Sequence, residues 1–475
     1  MNILIVVTNR YSGPVPVMPI GVCMVAEAAE RAGHRVRVLD LMFERDPLRT
    51  LALELNKTNP DLIGLSIRNI DNNDMQNPVA FFKDLGPLVE TIRSRTQATI
   101  VLGGAAVGVM PEELLRYTGA DWMVMGDGEV IFPRLLSALS EGEIPDNIPG
   151  IAWLEDNVFR KNTGYSARFG NGCSVPDFHR WINVHAYLSR LSTVPIQTKL
   201  GCHFKCIYCT YRKIEGDAYR LCAPESVVDA IKNLVAIGLR DIEFVDNVFN
   251  SPYEHALAVC EGLARIRPDA RLHSLELNPL FIDDNLLTAM ERAGFAAIGI
   301  TVESASDIVL SGLQKGFTME DVYNTAQVIQ RHKFPCLWIF MLGGPGETKA
   351  TVQETLHFAE RFIRPMDVAF FTVGIRIYPG TELEHTARKE GVLTLSPKEM
   401  LEPVFYISPT LDLDWLINKM HNVLAAHMNF INSNSISLSF LPTINRLGYR
   451  LGVKPPLWRH TRLIRHGLRF LGIGV

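Results

Sequence analysis

The sequence predicts an α/β protein made of two successive strand–helix repeats and a short, mainly helical C-terminal region. Three observations carry this. Residues 1–150 and residues 194–400 each alternate short apolar runs with amphipathic segments. The runs are continuous rather than alternating, as in parallel strands covered on both faces. Several end in glycine-rich turns, such as Gly103-Gly104, Gly126-Asp127-Gly128-Glu129 and Gly343-Gly344. The 47% hydrophobic and 21% charged content is that of a globular protein, and 475 residues suffice for two or three domains.

In the first repeat, 1–150, strands are expected at Ile3–Val7, Val36–Asp40, Leu62–Ile67, Ala98–Leu102 and Trp122–Met125, with helices at Ile20–Ala32 and Pro111–Tyr117. This is a Rossmann-like, doubly wound domain, whose ligands bind at the carboxyl ends of the strands. Residues 151–193 show no clear period and read as a linker. In the second repeat, 194–400, strands are expected at Pro195–Lys199, Asp241–Val245, Leu272–Leu277, Ala297–Thr301, Pro335–Leu342 and Val368–Ile377. Helices such as Pro224–Ile237 and Met319–His332 fit between them. Strand–helix units in this number suit a partial (β/α)6 TIM barrel better than a closed eight-stranded one. Residues 401–475 form the C-terminal basic region.

The opening Met1–Val7 is a short apolar run with no basic head or cleavage site, so it reads as a strand rather than a secretory signal. No run of about 18 apolar residues follows. The expected setting is cytoplasmic, where clustered cysteines bind metal or do chemistry more often than they form disulfides. Cysteines stand at positions 23, 173, 202, 206, 209, 222, 260 and 336. Cys202, Cys206 and Cys209 have the spacing C-x3-C-x2-C. Three thiolates can hold three irons of a [4Fe–4S] cube and leave the fourth open. A zinc site would need a fourth ligand, and His203 would have to fold back to supply it. The other five cysteines have no partner at such spacing and read as core or surface thiols.

With Tyr208 beside the last cysteine, the segment Gly201–Thr210 resembles the signature of the radical S-adenosylmethionine (SAM) superfamily. The resemblance implies a [4Fe–4S] cluster on the three cysteines and SAM on the open iron. It implies one-electron cleavage of SAM to methionine and a 5′-deoxyadenosyl radical, with a donor such as flavodoxin or ferredoxin. Implied SAM contacts are Tyr208, Asp246 and Asn247, Glu303, and the Gly343-Gly344 turn. The family often has Gly-Gly-Glu where this chain has Val245-Asp246-Asn247, an acidic variant similar to that of cobalamin-linked members.

A doubly wound domain ahead of such a core resembles the cobalamin-binding domain of B12-dependent radical SAM enzymes. Matching pieces are Pro19-Ile20-Gly21, Ala32-Gly33-His34, Gly64-Leu65-Ser66, Gly103-Gly104 and Gly126–Glu129. Implied cobalamin contacts are Ser66, Arg68, Asn69, Gly103, Gly104, Gly126, Asp127, Gly128 and Glu129. The Asp-x-His-x-x-Gly motif is absent, so no histidine is expected beneath cobalt, and His34 is a poor candidate. Arg68 resembles the arginine found there in members that methylate tryptophan; it reads equally as a contact to a cobalamin phosphate or amide. The expected function is cobalamin-dependent C-methylation of an unactivated or sp2 carbon in a small-molecule or lipid-like substrate. The alternatives are a non-methylating rearrangement, cyclisation or oxidation, and a non-catalytic cobalamin or cluster-binding sensor.

The net charge is −4, but no Asp or Glu follows Asp414, while Lys419, Arg446, Arg450, Lys454, Arg459, Arg462, Arg465 and Arg469 do. On a helical wheel Arg462, Arg465 and Arg469 share one face, and Leu463, Ile464, Leu468, Phe470 and Leu471 the other. With Trp458 ahead of it, this segment reads as an interfacial helix touching an anionic membrane or as a basic helix docked on the acidic remainder. Nucleic acid is the weakest reading of the three.

Overall fold

The computed structural model describes residues 1–162, 175–436 and 440–470. Strands are numbered here in chain order. β1 (Asn2–Val7), β2 (Arg35–Asp40), β3 (Leu62–Ser66), β4 (Thr99–Gly103) and β5 (Trp122–Val124) form a parallel sheet in the order β2-β1-β3-β4-β5. Ile3, Ile5 and Val7 point to one face, where the helices Ile20–Arg31 and Gly128–Ser140 pack. Leu4 and Val6 point to the other, against Leu51, Leu55, Leu88 and Ile92. Both faces are covered, which is why β1 is an unbroken apolar run.

β6 (Ile151–Glu155) and β7 (Val158–Lys161) extend this sheet antiparallel beyond β5. The start of the expected linker is therefore a hairpin. Its two-residue turn, Asp156-Asn157, has φ of 46° and 64°, the left-handed pair that a tight hairpin turn requires. Residues 163–174, including Cys173, lie outside the described residues.

The second sheet holds β8 (Val194–Ile196), then, after a short hairpin of β9 (Lys199–Leu200) and β10 (Arg220–Leu221), β11 (Asp241–Phe244), β12 (Arg271–Leu277), β13 (Phe295–Glu303), β14 (Cys336–Leu342) and β15 (Val368–Val373). A small pair, β16 (Ile375–Arg376) and β17 (Phe405–Tyr406), leads on to β18 (Phe430–Asn432). The order is β8-β11-β12-β13-β14-β15-β18, all parallel. All the expected barrel strands are present. A seventh comes from the C-terminal region, which is thus part of the barrel and not only helical. Among the described residues no helix is long and apolar enough to cross a membrane.

Two features lock the parts together. Arg376 Nε donates to Asp71 Oδ2 at 2.7 Å, with both side chains buried, and Tyr378 donates to Asn73 at 2.8 Å. The loop after β3 is thereby tied to the barrel. The helix Thr461–Phe470 docks through a side that carries both Arg465 and Leu468. Arg465, 5% exposed, donates to the carbonyls of Leu424, His427 and Phe430 at 2.6–2.8 Å, and Arg469 to that of Ala425 at 2.8 Å. Three of these carbonyls lie in the last turn and cap of the helix Leu413–Ala426, where intrahelical donors run out. The wheel's two faces are not the ones the structure uses: the buried side carries Thr461, Arg465 and Leu468 together, whereas Arg462 and Arg469 are exposed along with Leu463 and Phe470, at 73% and 90%. Leu471 lies outside the described residues.

Candidate functional site

Cys202, Cys206 and Cys209 lie on the loop between β9 and the short helix Tyr211–Glu215, all three as free thiols. Cys202 N–H is held by Gly216 O at 3.1 Å, and Cys209 N–H by Cys206 O at 3.2 Å. Burial pushes the Cys209 thiol up to about 12, and the neighbouring cysteine sulfurs add to this. Among the described residues no three His, Cys, Asp or Glu side chains close on a single metal ion. His203 stacks on Phe204 and meets Tyr219 edge-on, with centroids 4.2 and 5.0 Å away. Three thiols near enough to interact electrostatically, on one glycine-preceded loop, fit a cluster.

Tyr208 lies beside this loop's end and donates to Glu303 Oε1 at 2.7 Å. Lys315 donates to both, at 3.0 Å to the Tyr208 oxygen and 3.2 Å to Glu303. Burial opposes the Lys315 charge, but Glu303 and the cysteine sulfurs outweigh it and raise its pKa. Glu303 reaches this position because β13 slips its register against β14 between Thr301 and Glu303, with Glu303 at φ 65°. Such strain in a non-glycine residue persists where surrounding contacts over-determine it.

Asp246 is wholly buried. It accepts from Thr198 N and Oγ1 at 2.7 and 2.6 Å and from Lys199 N at 3.1 Å. Asn247 donates to Glu215 at 2.6 Å, and Glu215 accepts from Gly201 N at 3.0 Å. Both residues thus brace the loop that carries the cysteines. The Gly343 and Gly344 N–H groups point at the buried Glu347, the second at 3.0 Å. Burial raises Glu347 to about 7 despite these donors.

A trough of about 280 Å³ runs along the carboxyl edge of the first sheet. Ser66, Gly103, Gly104, Gly126, Asp127, Gly128 and Glu129 line it from below, and Gln197, Leu200, Ile214 and Glu215 from above. Gly104 has φ 97°, and a Cβ there would lie 2.5 Å from Ile67 O. Among the described residues the Ser66 hydroxyl makes no hydrogen bond, so it is open to a ligand. Asp127 is paired with Arg220 Nη2 at 3.0 Å, an ion pair across the two domains. A glycine floor with a free hydroxyl fits a nucleotide-bearing cofactor that needs close backbone approach.

Arg68 and Asn69 are not in this trough. They enter a second cavity of about 500 Å³, with Glu243, Val245, Leu275, Ile339, Phe370 and Trp458 among its walls. Arg68 is open to the void yet enclosed by protein, and this desolvation lowers its pKa. His34 lies at the opposite, amino edge of the sheet, where Met1 N approaches its Nδ1 at 3.4 Å. Cys222, expected as a lone thiol, is disulfide-bonded. Lys315, Glu215 and Arg220 were not foreseen. None belongs to a local motif, and only the fold brings them to the site.

Comparison with known proteins agrees with this layout. The Radical SAM superfamily profile matches residues 196–359, and the B12 binding domain profile residues 8–136. The chain is 25% identical over 385 residues to an uncharacterized methyltransferase of Pyrococcus horikoshii, covering 80% of each chain. It is 26% identical over 434 residues to the tryptophan 2-C-methyltransferase of Streptomyces laurentii, covering 77% of this chain and 71% of the relative. The fold is that of the radical SAM methyltransferase TsrM of Kitasatospora setae, solved with tryptophan and a SAM analogue, at TM-score 0.87, 23% identity and 99% coverage of both chains. The cysteine loop, the acid-and-glycine strand ends and the trough beneath them are thus parts of one known architecture, and the chain belongs to the radical SAM enzymes that carry an N-terminal cobalamin-binding domain.

Proposed function

We propose that this protein is a cobalamin-dependent radical SAM C-methyltransferase acting on a small molecule. One observation carries the reading: the cysteine loop and the cofactor trough share a wall. Ile214 and Glu215, which follow Cys209, form the roof of the trough whose floor is Ser66, Gly103 and Gly126. Cys202, Cys206 and Cys209 would hold a [4Fe–4S] cluster. Tyr208, Glu303, Asp246, Asn247, Gly343 and Gly344 surround the place for SAM. Ser66 and the glycine turns would hold cobalamin, with Arg68 and Asn69 at its edge toward the second cavity. When bound, these groups supply a carbon radical and a transferable methyl group.

The chain's own residues do the positioning. Glu215 fixes Gly201 and Asn247 at once, so the loop keeps its shape while it faces the trough. Lys315 and Tyr208 hold Glu303 in one rotamer. The apolar walls of the second cavity exclude water from the reacting carbon. A one-electron donor of the flavodoxin or ferredoxin class is required. Membrane attachment through the tail is not part of this reading, because Arg465 and Arg469 are already bound to carbonyls.

The test is an anaerobic assay of the reconstituted holoprotein with SAM, reductant and an extract of cells lacking the protein. S-adenosylhomocysteine together with 5′-deoxyadenosine and a methylated product is expected. 5′-Deoxyadenosine alone would mean rearrangement, cyclisation or oxidation, and neither product would mean a sensor.

A further inference from the structure

Two buried lysines flank the cysteine loop. Lys199, 2% exposed, lies on the Cys202 side, 3.5 Å from Asp246 and donating to Phe249 O at 3.1 Å. It belongs to the network that braces the loop. Lys315, 5% exposed, lies on the side of Cys206 and Cys209. The chain turns it inward there. After the helix Asp307–Gly312, Gln314 and Gly316 take left-handed backbone at φ 53° and 78°, one on each side of Lys315. Leu313 and Phe317 are buried and anchor the turn. The segment lies directly on the cysteine loop. Ile207 N–H donates to Leu313 O at 3.2 Å, and a Cβ on Gly316 would be 3.9 Å from the Phe204 ring.

Holding Glu303 does not account for the charge of Lys315. Tyr208, a neutral donor, already reaches Glu303 Oε1 at 2.7 Å, and Lys315 comes to the same oxygen at 3.2 Å. A buried ammonium carries a desolvation cost that a neutral donor avoids. What it adds is a positive charge beside the cysteine sulfurs, close enough to act on Cys206 and Cys209. The rings of Tyr208 and Phe317 enclose it, 5.6 and 5.7 Å from Nζ, so solvent screens it little. A [4Fe–4S] cluster on three thiolates gains one negative charge on reduction. A fixed cation nearby stabilises the reduced form. The carboxylates around Lys315, Glu303 and Glu276, act the other way.

We propose that Lys315 is the fixed cation that favours reduction of the cluster, so that a one-electron donor can load it. The donor, of the flavodoxin or ferredoxin class, loses the one electron that the cluster gains. This inference rests on the reading that Cys202, Cys206 and Cys209 hold the cluster. It does not depend on methylation.

The test is a redox titration of the reconstituted holoprotein without SAM, read by the paramagnetic resonance of the reduced cluster. A unit charge about 10 Å away, at an effective dielectric of about 20, changes such an equilibrium by roughly tenfold. In Lys315→Met the ratio of reduced to oxidised cluster at a given potential should therefore fall about tenfold, a shift of about 59 mV to the negative. Lys315→Arg keeps the charge and should stay within about twofold of wild type. Glu303→Gln leaves the cation unopposed and should raise the ratio. Iron and sulfide content normalises each measurement. A Lys315→Met ratio like that of wild type, or an equal fall in Lys315→Met and Lys315→Arg, would overturn the inference alone. If Lys315→Met assembles no cluster, Glu303→Gln decides, and a ratio that does not rise overturns it. A wild-type chain without any cluster signal would overturn the cluster reading, and the inference with it.

Discussion

Cys202, Cys206 and Cys209 have the simplest consequence when removed. Alanine at any of the three should abolish the visible absorbance of the anaerobically reconstituted cluster. Cys260→Ala should leave it intact, because Cys260 is wholly buried in the helix Tyr253–Ile266, away from the loop. His34→Ala should leave bound cobalamin's spectrum unchanged, since His34 sits at the sheet edge opposite the trough. Glu347 carries a pH signature. Its folded pKa is raised to about 7, so the native state keeps a proton that the unfolded chain releases from about pH 4.5 upward. Stability is therefore greatest below that range and falls as pH rises through 7, by on the order of 3 kcal/mol for a shift of this size. Urea midpoints of the cofactor-free protein at pH 5 and pH 8 measure it, and Glu347→Gln should shrink the difference. At this scale the cysteines were legible because their ligands sit within one local spacing. Lys315 was not, because it meets Tyr208 across 107 residues of sequence.

The strands were legible as elements wherever a continuous apolar run ended in a turn, as in β1, β3 and β4. β6 and β7 were missed because they are short and partly exposed, although Asp156-Asn157 is a usable hairpin signal. β18 was missed because Phe430–Asn432 spans three residues and acquires its meaning only by pairing with β15. The terminal helix shows how periodicity misleads: it defines two faces and is silent about which one finds the better partner. Carbonyls at the end of Leu413–Ala426 draw Arg465 inward beside Leu468, so the buried side cuts across both faces of the wheel. Arg465→Ala should then cost about 3 kcal/mol, because it leaves buried carbonyls unpaired. Chemical denaturation of the full chain measures this, with the exposed Leu463→Ala expected within about 0.5 kcal/mol of wild type.

Across the whole molecule, the polar contacts that join the two domains include a buried ion pair. Asp71 and Arg376 are 1% and 5% exposed, and Arg376 also donates to Met400 O at 2.7 Å. Removing one partner strands a buried charge. Asp71→Ala should destabilise by about 3–5 kcal/mol, whereas replacing both residues with apolar ones of similar volume should cost much less. A double-mutant cycle by urea denaturation reads this directly. Asp71 follows β3, three residues beyond Arg68, so the same pair holds in place the loop that reaches the second cavity. The domain order was legible from the two strand–helix repeats, but the interface was not: no local pattern marks Asp71 and Arg376 as partners over 305 residues.

The second cavity draws its walls from the loops of the first domain, residues 191–193 ahead of the barrel, the barrel strands, and the terminal segment around Trp458 and Leu468. None of the terminal residues belongs to the cysteine loop or the cofactor trough. Mutational drift in that segment can reshape what the cavity admits while the chemistry is inherited unaltered. A lineage of such enzymes can thus diversify its substrates by varying a few dozen residues, with selection on the radical machinery left undisturbed.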